Sequence, residues 1–351
     1  MKVLRPLLIV VCVMWTASTT AQISLTPPGA ETPRAQPPKL KPKPPATKPA
    51  AAAKPAATPP SAATVTPAPA PDDPNLDLVY GAYQRGMYKT AFELASKRAQ
   101  DTGDPKAMTM LGELYANAMG VKRDYAKAAE WYRRASDGGD REAMFALAML
   151  RLAGRGGPPS PEEAAKLLAS SAKLGNPKAA YNLALLYLDG QTLPQDVKRA
   201  AELFRVAADA GNPEAQYALA TFYKEGTGVP KDIERSVRLL QAAALSDNVD
   251  AEVEYAIALY NGTGTPKNES AALALLRKAA KQNSPIAQNR LARVLITGQS
   301  APIDKIEGFK WHLVAKTSGK GDPMLDEALG QLSPQDRASA EAAARRWLGT
   351  K

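Results

Sequence analysis

The chain has 351 residues, 45 Lys and Arg against 35 Asp and Glu, a net charge of +10, one cysteine and one histidine. A single residue of each kind excludes a disulfide framework, a Cys/His metal site and a Ser-His-Asp relay with alternatives to its base. About half of the net positive charge lies before residue 76, and no Lys/Arg run is interleaved with aromatics, so nucleic acid is not an expected partner.

Residues 1–21 have the pattern of a secretory signal peptide. Lys2 and Arg5 precede the apolar stretch Leu7 to Trp15, and Thr19-Thr20-Ala21 offers small residues for cleavage before Gln22. The apolar stretch is far shorter than the ~20 residues a membrane helix needs, which disfavours an uncleaved anchor. Cys12 lies inside it, so the expected mature chain has no cysteine and suits an oxidising compartment. Residues 22–75 hold sixteen prolines among Ala, Thr and Lys. That composition has too little apolar surface to offset the entropy of ordering and predicts a disordered, extended spacer. Its lysines could contact anionic cell wall or headgroups, but their wide spacing favours a solvated linker.

Residues 76–104 read as a shortened helix pair. From Pro105 a 36-residue period begins, with units starting at Pro105, Arg141, Pro177, Pro213, Val249 and Pro285 and running to about residue 322. A fixed period of this length marks a solenoid of supersecondary units. Leu111, Leu147, Leu183, Leu219, Tyr255 and Leu291 share one column; the next is small throughout, from Gly112 to Ala292. Trp131, Leu167, Leu203, Leu239, Leu275 and Trp311 share a column in the second half of each unit, and a second small column holds Ala135, Ser171, Ala207, Ala243, Ala279 and Ala315. Large apolar residues beside small ones at helical spacing predict two closely packed helices per unit. Asp104, Asp140, Asn176, Asn212, Asn248 and Ser284 are placed to cap the first helices, and Asp124, Ser160, Asp196, Asp232, Asn268 and Asp304 the second. Gly154, Gly190, Gly226, Gly262 and Gly298 mark where the first helix ends. In the tail, residues 323–351, a Ser333-Pro334 helix start and Arg337, Arg345 and Arg346 suit a capping helix with a polar outer face; Trp347 is expected to pack back on the last unit.

The phrases LGELYANAMGVKRDYAKAAEWYRRASDGGD and LATFYKEGTGVPKD resemble the Sel1-like repeat family, relatives of tetratricopeptide repeats, over about residues 76–322. The resemblance implies an all-α fold, a right-handed α/α solenoid of helix-turn-helix repeats acting as an adaptor for protein complexes. Secreted bacterial members look like envelope-signalling regulators, polarity scaffolds or host-interaction factors. Some relatives pair cysteines across each repeat; this chain does not. The second unit departs most, with Gly156-Gly157-Pro158-Pro159 in place of the usual loop, which puts its loop contacts in doubt.

Chemistry is sparse. His312 falls in a column of Tyr132, Leu168, Phe204, Leu240 and Leu276, so it reads as a packed structural histidine. Ser170-x-x-Lys173 fits the pattern of penicillin-interacting enzymes, and Lys316-Thr317-Ser318 resembles their Lys-Thr-Gly element. Both lie at repeat-helix ends with no strand beside them. Glu162 and Glu163 sit at a helix start, where they favour the dipole rather than acid–base work. No cofactor or metal is implied. What remains is a surface: the varying positions of the first helices, on the face expected to be concave. The candidate binding residues are Phe145, Tyr181, Asn182, Leu185, Tyr217, Thr221, Glu254, Arg290 and Arg293, centred on Tyr181, Asn182 and Tyr217. Aromatics beside amide donors suit capture of a peptide backbone, but the same tyrosines could pack between units. The functional reading is a non-enzymatic adaptor or envelope-signalling regulator, periplasmic or secreted, that binds another envelope protein. A cell-wall scaffold is the alternative, and a peptidoglycan-active or penicillin-binding enzyme the different-class rival.

Overall fold

The computed structural model describes residues 77–349; the segments read as signal peptide and linker lie outside the described residues. Among the described residues there are sixteen α-helices and no strand. A leading pair, α1 (Leu78–Gln84) and α2 (Tyr88–Thr102), is followed by six repeated pairs: α3 (Pro105–Asn117) with α4 (Tyr125–Asp137), α5 (Arg141–Ala153) with α6 (Pro161–Lys173), α7 (Pro177–Asp189) with α8 (Val197–Asp209), α9 (Pro213–Glu225) with α10 (Ile233–Leu245), α11 (Val249–Asn261) with α12 (Glu269–Lys281), and α13 (Pro285–Thr297) with α14 (Lys305–Thr317). The short α15 (Pro323–Gly330) and α16 (Pro334–Gly349) end the chain. From α1 to α14 each helix packs mainly on the one before and the one after it, which is the connectivity of a solenoid, and α16 folds back past α15 onto α14.

The capping residues set these boundaries. All twelve stand at the N-caps, and eleven accept a first-turn N–H through the side chain. Ser160 is the exception and makes no such bond. The second-helix caps share a φ between −132° and −150°, where Asp or Asn reaches the backbone N–H and a serine hydroxyl, one atom shorter, does not. Ser284 caps a first helix at φ −72° and does reach, at 3.4 Å. The glycines at the first-helix ends are all left-handed; in the first unit Ala118 takes that conformation at φ 59°.

Both small columns are wholly buried, with Ala148, Ala184, Ala220, Ala256 and Ala292 in the first and Ala135, Ser171, Ala207, Ala243, Ala279 and Ala315 in the second. In the second helices the larger burial falls one residue later than the Trp131 column. Tyr132, Leu168, Phe204, Leu240, Leu276 and His312 are buried, whereas Trp131, Leu167, Leu203, Leu239 and Leu275 are half-buried, and of these Leu167, Leu203 and Leu239 bridge adjoining clusters. His312 is fully buried, its Nε2 2.9 Å from Asp326 Oδ1, and Lys316 Nζ meets the same oxygen at 2.7 Å. Lys316, and after it His312, holds Asp326 below the usual carboxylate range.

The loops have their own register. Gly228 at φ +69° lies so close to α8 that a Cβ would meet Val197 O at 2.8 Å; Gly156, in the divergent second loop, lies the same way on α4. The unusual Gly-Gly-Pro-Pro sequence therefore keeps the contact that the other loops make. Glu163 does more than complement a dipole: it joins Arg133 of the preceding unit at 2.7 Å and Arg151 at 2.9 Å. At the end of the chain, Trp347 meets Trp311 edge-on at 5.0 Å between ring centroids, with Lys310 Nζ over both rings. Arg337, Arg345 and Arg346 are exposed.

Candidate functional site

The first helices α3, α5, α7, α9, α11 and α13 recur once per unit, and polar contacts tie α3 to α5, α5 to α7 and α9 to α11. Thr109 Oγ1 lies 3.1 Å from Asp140 Oδ1, Asn176 Nδ2 donates to Glu142 at 3.1 Å, and Lys224 meets Glu254 at 2.9 Å. Arg293 pairs with the buried Asp322, which caps α15. Neighbouring repeats thus contribute equivalent positions to one first-helix wall.

The candidate residues divide into three groups on this wall. Phe145, Tyr181 and Leu185 are half-buried and pack against the cores beneath them; the Tyr181 ring lies 5.6 Å from Phe204. The tyrosine ring thus packs between helices while remaining partly exposed. Asn182 spends an amide N–H on Lys178 O at 2.8 Å, within its own helix.

Tyr217, Thr221 and Glu254 come together. With Lys224 they line a cavity of about 210 Å³ backed by Ser236 and Leu240. The gap exists because the fourth unit is small where its neighbours are large: Thr221 replaces Met149, Leu185 and Ile257 of the other units. Burial first, then Glu254 and Asp250, pushes the Tyr217 hydroxyl up to about 12; burial and Glu214 raise that of Tyr181. Both phenols are therefore neutral donors, and neither hydroxyl bonds a protein group among the described residues.

Arg290 and Arg293 form the third group, beyond Glu254. Arg293 is neutralised by Asp322, while Arg290 is half-buried with its Nε enclosed.

Sequence reasoning missed Lys224 and Ser236. Both carry a signal, since Lys224 interrupts a column of Ala116, Leu152, Leu188, Tyr260 and Ile296, and Ser236 one of alanines and a glycine. Ser236 donates to Ala220 O at 2.7 Å, so its hydroxyl is spent on the fold. A larger hollow of about 580 Å³ lies on the loop edge around Tyr223, Lys231 and Arg235. Three of its polar groups already serve the fold. Arg235 bonds the Tyr223 hydroxyl at 2.9 Å and Asp232 caps α10, so we place the candidate site on the first-helix wall. Ser170 and Lys173 are exposed at the end of α6 with no sheet among the described residues, which leaves the penicillin-interacting pattern without its setting. No cluster of three metal-ligating side chains occurs among the described residues.

The Sel1 repeat model matches six consecutive spans, 105–140, 141–176, 177–212, 213–248, 249–284 and 285–319, which together exceed half of the chain. The chain belongs to the Sel1 repeat family. Its repeats begin at the residues where the capped first helices begin. Among solved structures, it is similar to a Sel1 repeat protein from Oxalobacter formigenes at 24% identity and a TM-score of 0.58, over 68% of this chain and 94% of that one. It is also similar to a protective antigen of uropathogenic Escherichia coli with an SLR fold, at 25% identity and a TM-score of 0.54, over 75% of this chain and 64% of that one. No curated protein sequence matches the chain. Sel1 repeat solenoids generally mediate protein–protein interactions and are typically non-catalytic.

Proposed function

We propose that this chain is a non-enzymatic adaptor of the bacterial envelope that captures a segment of another envelope protein on its first-helix wall. The observation that carries the reading is the pair Tyr181 and Tyr217. Equivalent positions of adjoining repeats present half-buried rings whose hydroxyls bond no protein group among the described residues, and the second borders a cavity. Rigid aromatic bodies with a donor at the rim supply contact area at little entropic cost, which is how interface anchors work. Export to the periplasm rests on residues 1–21, whose charge, apolar length and small-residue end fit a signal peptide. The proline-rich stretch that follows is read as a spacer, and envelope signalling as the process served.

The test is a crosslinking pull-down from the envelope fraction with the wild-type chain and with Tyr181→Ala/Tyr217→Ala. Aromatic anchors commonly carry ~2 kcal/mol or more each, so the double variant should lose well over about a hundredfold in affinity for the captured protein. Circular dichroism must show an intact helical fold, because both rings also pack. Undiminished capture by a folded double variant would refute the wall as the working surface. Transcript profiling of a deletion strain then tests signalling: a defined regulon should shift.

A further inference from the structure

Charged side chains along the end of the first-helix wall are paired in a row. Lys224 holds Glu254 at 2.9 Å, and Arg293 holds the buried Asp322. Arg290 lies between these two pairs and belongs to neither. It sits on α13 in the column where earlier units carry Met110, Ala146, Asn182 and Ala218, so the repeat pattern does not call for an arginine there. Its Nε is buried and bonds no acceptor, and no described carboxylate forms an ion pair with its guanidinium. Burial holds it below the ordinary arginine range; Glu254 works against that shift and Arg293 adds to it. Glu254 is the nearby carboxylate, and it is already committed to Lys224.

A guanidinium carries five N–H donors in a fixed planar fork. Leaving such a group partly desolvated without an acceptor is unfavourable, and a carboxylate meets its fork with two parallel bonds. One unpaired positive charge matches a monoanion. A phosphate dianion would bring a second negative charge beside Glu254.

We propose that Arg290 is a carboxylate-binding site at the C-terminal end of the first-helix wall, taking an acidic group of an extended polypeptide whose other contacts fall on Tyr217. This inference rests on the proposed adaptor function and assigns the chemistry of its partner: the captured segment is acidic at one fixed position. The carboxylate belongs either to an Asp or Glu side chain or to a chain terminus.

The experiment selects random dodecapeptide libraries on the full-length protein, one displayed with both ends blocked and one with a free C-terminus. Wild-type protein should enrich peptides that share one acidic position. An acid fixed in the blocked library identifies a side chain; enrichment confined to the free library identifies a terminal carboxylate. A synthetic peptide of the enriched sequence should bind Arg290→Leu about tenfold to a hundredfold more weakly than wild type. Replacing its acid by the amide should cost the same on wild type and nothing further on Arg290→Leu. The amide replacement needs no protein variant, so the result holds even where Arg290→Leu folds poorly. Peptides that depend on Tyr217 but show no acidic position, or that gain affinity on phosphorylation in its place, overturn the carboxylate site and leave the adaptor reading standing. Failure to enrich any peptide counts against the adaptor reading itself, and this site falls with it.

Discussion

Gly112 sets two opposite expectations against one another. The other five units carry alanine in its column, and alanine is better than glycine in a helix by ~1 kcal/mol, so Gly112→Ala should stabilise α3 on propensity alone. The packing says the reverse. A Cβ on Gly112 would lie 2.6 Å from two carbons in the body of the Tyr132 ring, where an ordinary contact is about 3.5–4 Å. The ring would have to retreat by roughly 1 Å. It is nearly fully buried, and its hydroxyl is held by Glu113 at 3.0 Å, so it cannot swing aside. Overpacking of this kind costs ~1–3 kcal/mol, which outweighs the propensity gain and leaves a net loss of about 1–2 kcal/mol. Urea denaturation followed by circular dichroism should show the loss in the transition that includes the first repeats, since solenoid units unfold with their neighbours rather than strictly all at once. Adding Tyr132→Leu should restore stability by recreating the Ala148/Leu168, Ala220/Leu240 and Ala256/Leu276 combinations found together in the other cores. A single Gly112→Ala variant as stable as wild type, or more so, would refute the argument.

Three further outcomes follow from local geometry. Ala118→Gly should raise stability by ~0.5–1 kcal/mol in the same urea assay, because Ala118 occupies the left-handed position that glycine holds in the other units. Asp232→Ala should cost ~1 kcal/mol and Ser160→Ala next to nothing, since only the aspartate accepts a first-turn N–H; equal losses would show that the serine caps after all. Tyr217 gives a pH signature. Its folded-state value of about 12 lies above the ordinary ~10, so the folded protein holds that proton more tightly than the unfolded chain. Its contribution to stability is complete below pH ~10 and is lost as pH rises towards ~12. Urea midpoints across that window should fall less steeply for Tyr217→Phe, and identical slopes would contradict the burial of the ring.

The period, the caps and the two small columns were legible because each is local and repeated six times. A short polar side chain ahead of an apolar run caps a helix wherever it occurs, and a column that stays small in every unit marks a close helix contact without reference to its partner. The fold class follows from those features alone. Tertiary structure decided what depends on the residue opposite. Whether the Trp131 or the Tyr132 column is the deeper one depends on which neighbouring helices cover each second helix. Ser160 fails as a cap because, at a φ near −143° where Asp and Asn reach the first turn, its shorter side chain does not. Phe145, Tyr181 and Tyr217 are wall residues by their column, yet how much of each ring stays available depends on the side chains folded beside it: Phe204 of the paired helix packs on Tyr181, while Thr221 one turn on leaves space beside Tyr217. Arg290 is an ordinary basic residue in the sequence. It becomes an unpaired one because Glu254 turns to Lys224 and Asp322 to Arg293, and side chains some 30 residues apart choose those partners only when the solenoid has brought them together.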